Sequence, residues 1–172
     1  MGALLVDLTC VIVDNSQIAS TQFGNTNCRT SLQQELFVSD SESKTTKPNP
    51  GTIGWIDLTT ENAGQIRDFY ESVVGWKSEA VPVEDHQDFV ITPAGSSDPV
   101  AGICHRKGPN ADVPGGWMIY IHVDDLAASL ESCMSLGGEK VGEIREMAGY
   151  GTSCVIKDPS GAMCVLFESL SQ

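Results

Sequence analysis

Residues 117–126 read Trp117-Met118-Ile119-Tyr120-Ile121-His122-Val123-Asp124-Asp125-Leu126. Ile119, Ile121 and Val123 alternate with Met118, Tyr120 and His122, the two-residue period of a strand with one face in a core. Asp124 or Asp125 then caps a helix, because a short carboxylate can accept the free amides of the first turn. The helical stripe is Leu126, Leu130, Cys133 and Met134, and Gly137-Gly138 stops it. Three more strands are predicted downstream, over Lys140–Met147, Thr152–Lys157 and Ala162–Glu168. Asp158-Pro159-Ser160-Gly161 between the last two has the residue preferences of a type I turn.

Upstream the same order appears. Ile53, Trp55, Asp57 and Thr59 alternate with Gly54, Ile56 and Leu58. Asn62 with Gln65 forms a capping-box variant, and Ile66, Phe69, Tyr70, Val73 and Val74 fall on one helical face that Gly75 ends. Trp76–Val83, Gln87–Thr92 and Val100–Arg106 read as three short strands. Trp55 and Tyr120 differ by 65 positions (120 − 55), as do Val90 and Val155 (155 − 90), a shared offset that argues for duplication. Unit one spans 52–106 and unit two 117–168, joined by the Pro/Gly-rich stretch 107–116. The fold class is α+β: two tandem βαβββ units.

Outside the compact part, 51–172, residues 1–50 form an N-terminal extension. Leu4–Val13 could make a strand, and Ser39–Pro50 has the composition of a flexible linker. The chain has 172 residues, 41% of them hydrophobic, enough for one domain with a buried core. A net charge of −13 repels nucleic-acid backbones and anionic lipid, so the expected partner is a small molecule, with no nucleic acid and no membrane. The six cysteines lack zinc spacing and read as reduced, mostly buried thiols, which suits a cytoplasmic setting.

Asp68-Phe69-Tyr70-Glu71 with Gly75-Trp76, then Val123-Asp124-Asp125-Leu126, Leu136-Gly137-Gly138 and Asp158-Pro159-Ser160-Gly161, carry a family likeness. Over 52–168 the chain resembles the vicinal oxygen chelate superfamily, which includes glyoxalase I, bleomycin-resistance proteins and extradiol dioxygenases. The resemblance implies two βαβββ units whose sheets form a shared cleft, with the helices on the outer faces. It is compatible with a homodimer, to which a strand in residues 1–50 could contribute. Metal-using members hold a divalent ion with His or Glu from the opening and closing strands. Here those positions fall on Met118, on Val165, near Gly54 or Trp55, and near Cys104-His105. Met118 and Val165 are no ligands for such an ion, so no metal residues are assigned, although uncertainty of one residue in strand register leaves a divalent metal open as cofactor.

Strand alternation puts Trp55 and Asp57, with Met118, Tyr120 and His122, on the cleft face. Asp57 and His122 occupy matched positions and are the candidate catalytic acid–base pair. Trp55, Met118, Tyr120, Cys104 and His105 are the candidate ligand-binding residues. Cys104 and His105, being adjacent on a strand, point to opposite faces. His86 lies in the acidic loop Glu84-Asp85-His86 and reads as solvated, while Gly149-Tyr150-Gly151 reads as a turn that could cover the cleft. Three functions follow: a small-molecule binder without the family's full metal site; a divalent-metal-dependent lyase, isomerase or dioxygenase; or an interaction module whose cleft is filled by its own side chains.

Overall fold

A computed structural model of the protein describes residues 47–170. The element order is β1 (Ile53–Thr60), α1 (Ala63–Val74), β2 (Lys77–Val83), β3 (His86–Thr92), β4 (Ala101–His105), β5 (Gly116–His122), α2 (Leu126–Ser135), β6 (Glu139–Met147), β7 (Gly151–Lys157) and β8 (Met163–Ser169). These are the two βαβββ units of the sequence reading. The N-terminal extension, including the Leu4–Val13 strand, lies outside the described residues up to position 46.

The helices start and stop where their caps dictate. Asn62 Oδ1 accepts the Gln65 amide at 3.3 Å while its own amide donates to Gln65 Oε1, and Gly75 ends α1 in the left-handed region at φ 73°. Asp125 Oδ1 accepts the Ala128 amide at 2.9 Å and caps α2. Asp158 Oδ1 accepts the amides of Ser160 and Ala162, fixing the β7–β8 turn.

All eight strands form one sheet, in the order β2-β3-β4-β1-β5-β8-β7-β6. Within each unit the opening and closing strands run parallel, and the units meet through the antiparallel pair β1–β5. Asp57 stands opposite Gly102, and His122 opposite Phe167. Both residues of the second pair are 65 positions beyond those of the first (122 − 57 and 167 − 102). Trp55 and Tyr120, equivalent by the same offset, are direct partners across β1–β5, so a local two-fold axis passes between them.

The offset does not hold in the hairpins. Val90 stands opposite Gly102, whereas Ser153 stands opposite Phe167, so Val90 occupies the place of Ser153 and not of Val155. Unit one carries a longer β3–β4 connection, and its strand has slipped by one pleat, which keeps each side chain on its own face.

Leu58, Phe89, Ile91, Ala101 and Ile103 pack with Ala63, Ile66 and Tyr70 beneath α1. Cys154, Ile156 and Leu166 pack with Leu126 and Leu130 beneath α2, with Ile121 and Val123 against them. The helical stripes read from the sequence are wider than these contacts: Phe69, Val73, Val74 and Met134 are exposed. Periodicity reports which residues share a helix face, and the area covered depends on how far the sheet extends beneath it.

Candidate functional site

The face of the sheet opposite the helices carries the residues that alternation assigns to the cleft. Register groups four of them, with Trp55 opposite Tyr120 and Asp57 opposite Met118. Trp55 packs with Met147 and Phe167, joined by Val90 and Tyr120. Met118 packs with Val155 and Val165, joined by Val113, Val141 and Tyr120. Tyr120 therefore bridges two apolar clusters drawn from both units.

Asp57 is the polar centre of this face and is 2% exposed. The Trp55 indole N–H donates to Asp57 Oδ1 at 2.7 Å, a bond that the i, i+2 spacing of one strand face makes local. The Tyr120 hydroxyl also favours the ionised form of this carboxyl. Burial pushes the Asp57 carboxyl up to about 6, against the opposing pull of the Trp55 hydrogen bond and the Tyr120 hydroxyl, and the negative charge of Asp88 adds to the rise. Burial and the neighbouring Asp57 charge hold the Tyr120 phenol well above its ordinary value. Such a carboxyl changes charge close to neutral pH, in reach of general acid–base work. Trp55→Phe keeps an aromatic ring, though a smaller one, and removes one stabilising donor. The Asp57 midpoint is expected to rise by about one unit, the size of one hydrogen bond to a charged group, as read by carbon-detected NMR titration of the side-chain carboxyl. An unchanged midpoint would show that the indole does not stabilise the charge.

His122 is not part of this group. Its backbone N–H donates to the Thr52 carbonyl, whereas Asp57 is level with Met118. Four residues of β5 separate Met118 from His122, about 13 Å at roughly 3.3 Å per residue, so the carboxylate cannot orient the imidazole. Nor does His122 lie in water: it is 7% exposed, with its ring 5.3 Å from that of Phe167. Burial, and then the charge of Lys47, hold it below its ordinary value. Gly54 makes room for it, because a Cβ there would collide with the imidazole Nε2.

Cys104 is fully buried on β4 beside Thr59 and is disulfide-bonded, so the expectation of reduced thiols does not hold for it. His105 ends the same strand, with Nδ1 3.0 Å from the Gln87 carbonyl oxygen and 3.4 Å from Asp88 Oδ1. His86 is not solvated as its acidic surroundings imply, since its side chain is only 6% exposed. Val83 pairs with His86 across a turn of Glu84 and Asp85, so His86 is already a strand residue. The i, i+2 pair His86 and Asp88 on one strand was the signal available in the sequence.

Two of the family's metal positions carry no ligand for an ion. Met118 and Val165 are 3% and 4% exposed and touch within one apolar cluster, and neither supplies an oxygen or nitrogen donor.

The profile of the Glyoxalase/Bleomycin resistance protein/Dioxygenase superfamily matches residues 52–166, which is both units. The chain belongs to this superfamily. Among curated relatives, this superfamily member is 30% identical over 122 residues to the Mycobacterium bovis protein named "Putative glyoxylase CFP32", covering 71% of this chain and 46% of that one. It is 30% identical over 115 residues to "Anthracycline biosynthesis protein DnrV" of Streptomyces peucetius, covering 66% of this chain and 40% of the relative. The matched region thus spans less than half the length of either relative. A solved superfamily member from Vibrio splendidus aligns over 67% of this chain and 97% of its own, at 11% identity and a TM-score of 0.47.

Proposed function

We propose that this superfamily member binds a small, planar or apolar molecule on the face shared by its two units, without an ion at the family's metal positions. Asp57 is its polar recognition group. The observation that carries the reading is a buried carboxyl, held by an indole N–H and influenced by the Tyr120 phenol, that burial pushes up to about 6 where the units meet. Trp55 and Tyr120 supply flat walls and Met118 an adaptable one. Met147, 3% exposed and packed on Trp55 and Phe167, ends β6 at the turn that leads through Gly149 and Tyr150 into β7. In this reading the turn is the cover, and a ligand enters by displacing Met147 from Trp55.

A ligand with a hydrogen-bond donor meets the ionised form of Asp57 above pH 6, and one with an acceptor meets the neutral form below it. The same group could take a proton from a bound ligand, so binding and acid–base catalysis share one residue. Saturation-transfer NMR against small planar aromatics and small polar metabolites tests the reading. Expected are binders that quench Trp fluorescence and lose at least about tenfold in affinity, the ~1.4 kcal/mol of one charge-assisted bond, with Asp57→Asn or Tyr120→Phe. A panel that yields no binder, or binders indifferent to both substitutions, would contradict it and favour the filled-cleft interaction module.

A further inference from the structure

At the far end of unit one, β3 and β4 bring together three side chains that the duplication does not explain. His86, Asp88 and His105 each present a potential ligand atom, and these atoms lie within 4.8 Å of one another. We propose that His86, Asp88 and His105 form a binding site for one divalent first-row transition ion, separate from the family positions at Met118 and Val165.

The spacing fits a shared ion. His86 Nε2 is 3.6 Å from Asp88 Oδ1, and His105 Nδ1 is 3.4 Å from the same oxygen. Two ligands, each about 2.1 Å from one zinc-like ion at a tetrahedral angle, stand about 3.4 Å apart. These separations are too long for good hydrogen bonds and match the edges of a coordination tetrahedron.

The unpaired atoms point the same way. Among the described residues His86 Nε2 and Asp88 Oδ2 are buried with no hydrogen-bond partner, although the two side chains are only 6% and 3% exposed. His86 Nδ1 is 3.2 Å from Asp85 Oδ1, a carboxylate that can only accept, so the ring proton sits on Nδ1. In the neutral ring Nε2 is then a lone pair facing the Asp88 carboxylate. Two acceptors buried face to face repel unless a cation stands between them. A carboxylate that fixes the tautomer of a ligating imidazole is the usual outer-shell arrangement of such sites.

The surroundings keep the cluster in shape. The His105 backbone N–H donates to Asp88 Oδ1 at 2.7 Å and holds the carboxylate against β4. Gly108 packs over the histidine and leaves room for Glu84, since a Cβ there would stand 2.7 Å from Glu84 Oε2 and at an ordinary 3.6 Å from His86 Cε1. A water can complete the tetrahedron. Two imidazoles and one carboxylate favour zinc and its neighbours over magnesium or calcium, which take all-oxygen sites. On uptake the ion replaces the proton that His105 Nδ1 shares with the Gln87 carbonyl. The inference shares with the Asp57 site only the charge of Asp88, the smallest of the causes acting on that carboxyl, and zinc uptake is read independently of it.

The test uses the full chain stripped with chelator, then titrated with zinc(II) and with cobalt(II). The expected result is one equivalent of zinc per chain, a saturable rise in melting temperature, and the visible absorption of four-coordinate cobalt without the sulfur-to-cobalt band of a thiolate site. His86→Gln and His105→Gln should lower zinc affinity roughly 100-fold or more, beyond the 10–100-fold typical of outer-shell partners. Asp85→Asn, at a side chain 90% exposed and therefore harmless to folding, should lower it roughly tenfold. Less than a tenth of an equivalent of zinc, a thiolate band, or affinity unchanged by His86→Gln and Asp85→Asn would overturn the proposal.

Discussion

Asp57→Asn is expected to stabilise the protein at pH 8 by about 3 kcal/mol and to leave it nearly unchanged at pH 4. Burial pushes the Asp57 carboxyl up to about 6 in the fold against an ordinary value of 3.8. Below pH 3.8 it is protonated folded or unfolded and contributes nothing to the difference. Between 3.8 and 6 the unfolded chain releases its proton and the folded chain keeps it, so stability falls as pH rises. Above 6 the folded state bears the whole cost of a buried charge, about two units at ~1.4 kcal/mol each. Asparagine keeps an acceptor for the Trp55 indole, and the Tyr120 hydroxyl can turn to accept from its amide. At ~4 °C per kcal/mol for a domain of this size, the melting temperature should rise by up to about 12 °C at pH 8. Thermal unfolding of both proteins from pH 4 to 8 measures the divergence. A constant difference across that range would mean that Asp57 does not titrate near neutrality in the fold. The same substitution should weaken ligand binding, so stability and function would move in opposite directions, as expected of a functional group kept at a cost.

Gly151→Ala should destabilise by at least about 3 kcal/mol, enough to unfold a marginal domain. Gly151 stands at φ 153° between two strands, opposite Met147 on β6 and Ser169 on β8. A Cβ there would lie inside the van der Waals envelope of the Glu168 carbonyl oxygen, which is backbone and cannot rotate aside. Relief requires β7 to part from β8 or the β6–β7 turn to lift, and lifting that turn takes Met147 off Trp55 and Phe167. Urea unfolding would therefore show a lower midpoint, and the indole would become more accessible to a fluorescence quencher in the native state. A midpoint within about 0.5 kcal/mol of the parent, an ordinary surface effect, would show that the strands adjust freely at this point.

The parts of this fold legible in the sequence are those set by local rules. Asn62, Gly75 and Asp125 cap helices because a short polar side chain or a left-handed backbone is needed at those points. Trp55, Asp57, Met118 and Tyr120 share a face because a strand alternates strictly. What alternation lacks is the pairing of strands far apart in sequence. Internal symmetry suggested Asp57 with His122, but residues matched by a two-fold axis are neighbours only beside it. Trp55 and Tyr120 are next to the axis, and Asp57 and His122 lie two residues further along antiparallel strands, hence four residues apart. The partner of Asp57 across the junction is Tyr120. His86 was hidden by composition: Glu84 and Asp85 make the segment look solvated, whereas a two-residue turn returns the chain into the sheet at once. Glu84 accepts φ 47° to make that turn, which no hydropathy pattern announces.

The most direct test of the central claim is the titration of the Asp57 side-chain carboxyl by carbon-13 NMR, assigned by its disappearance in Asp57→Asn. A midpoint near pH 6, moving upward in Trp55→Phe, is the result this account predicts. A midpoint near 4, the ordinary value of a solvated aspartate, would contradict it, because burial would then not be raising the carboxyl.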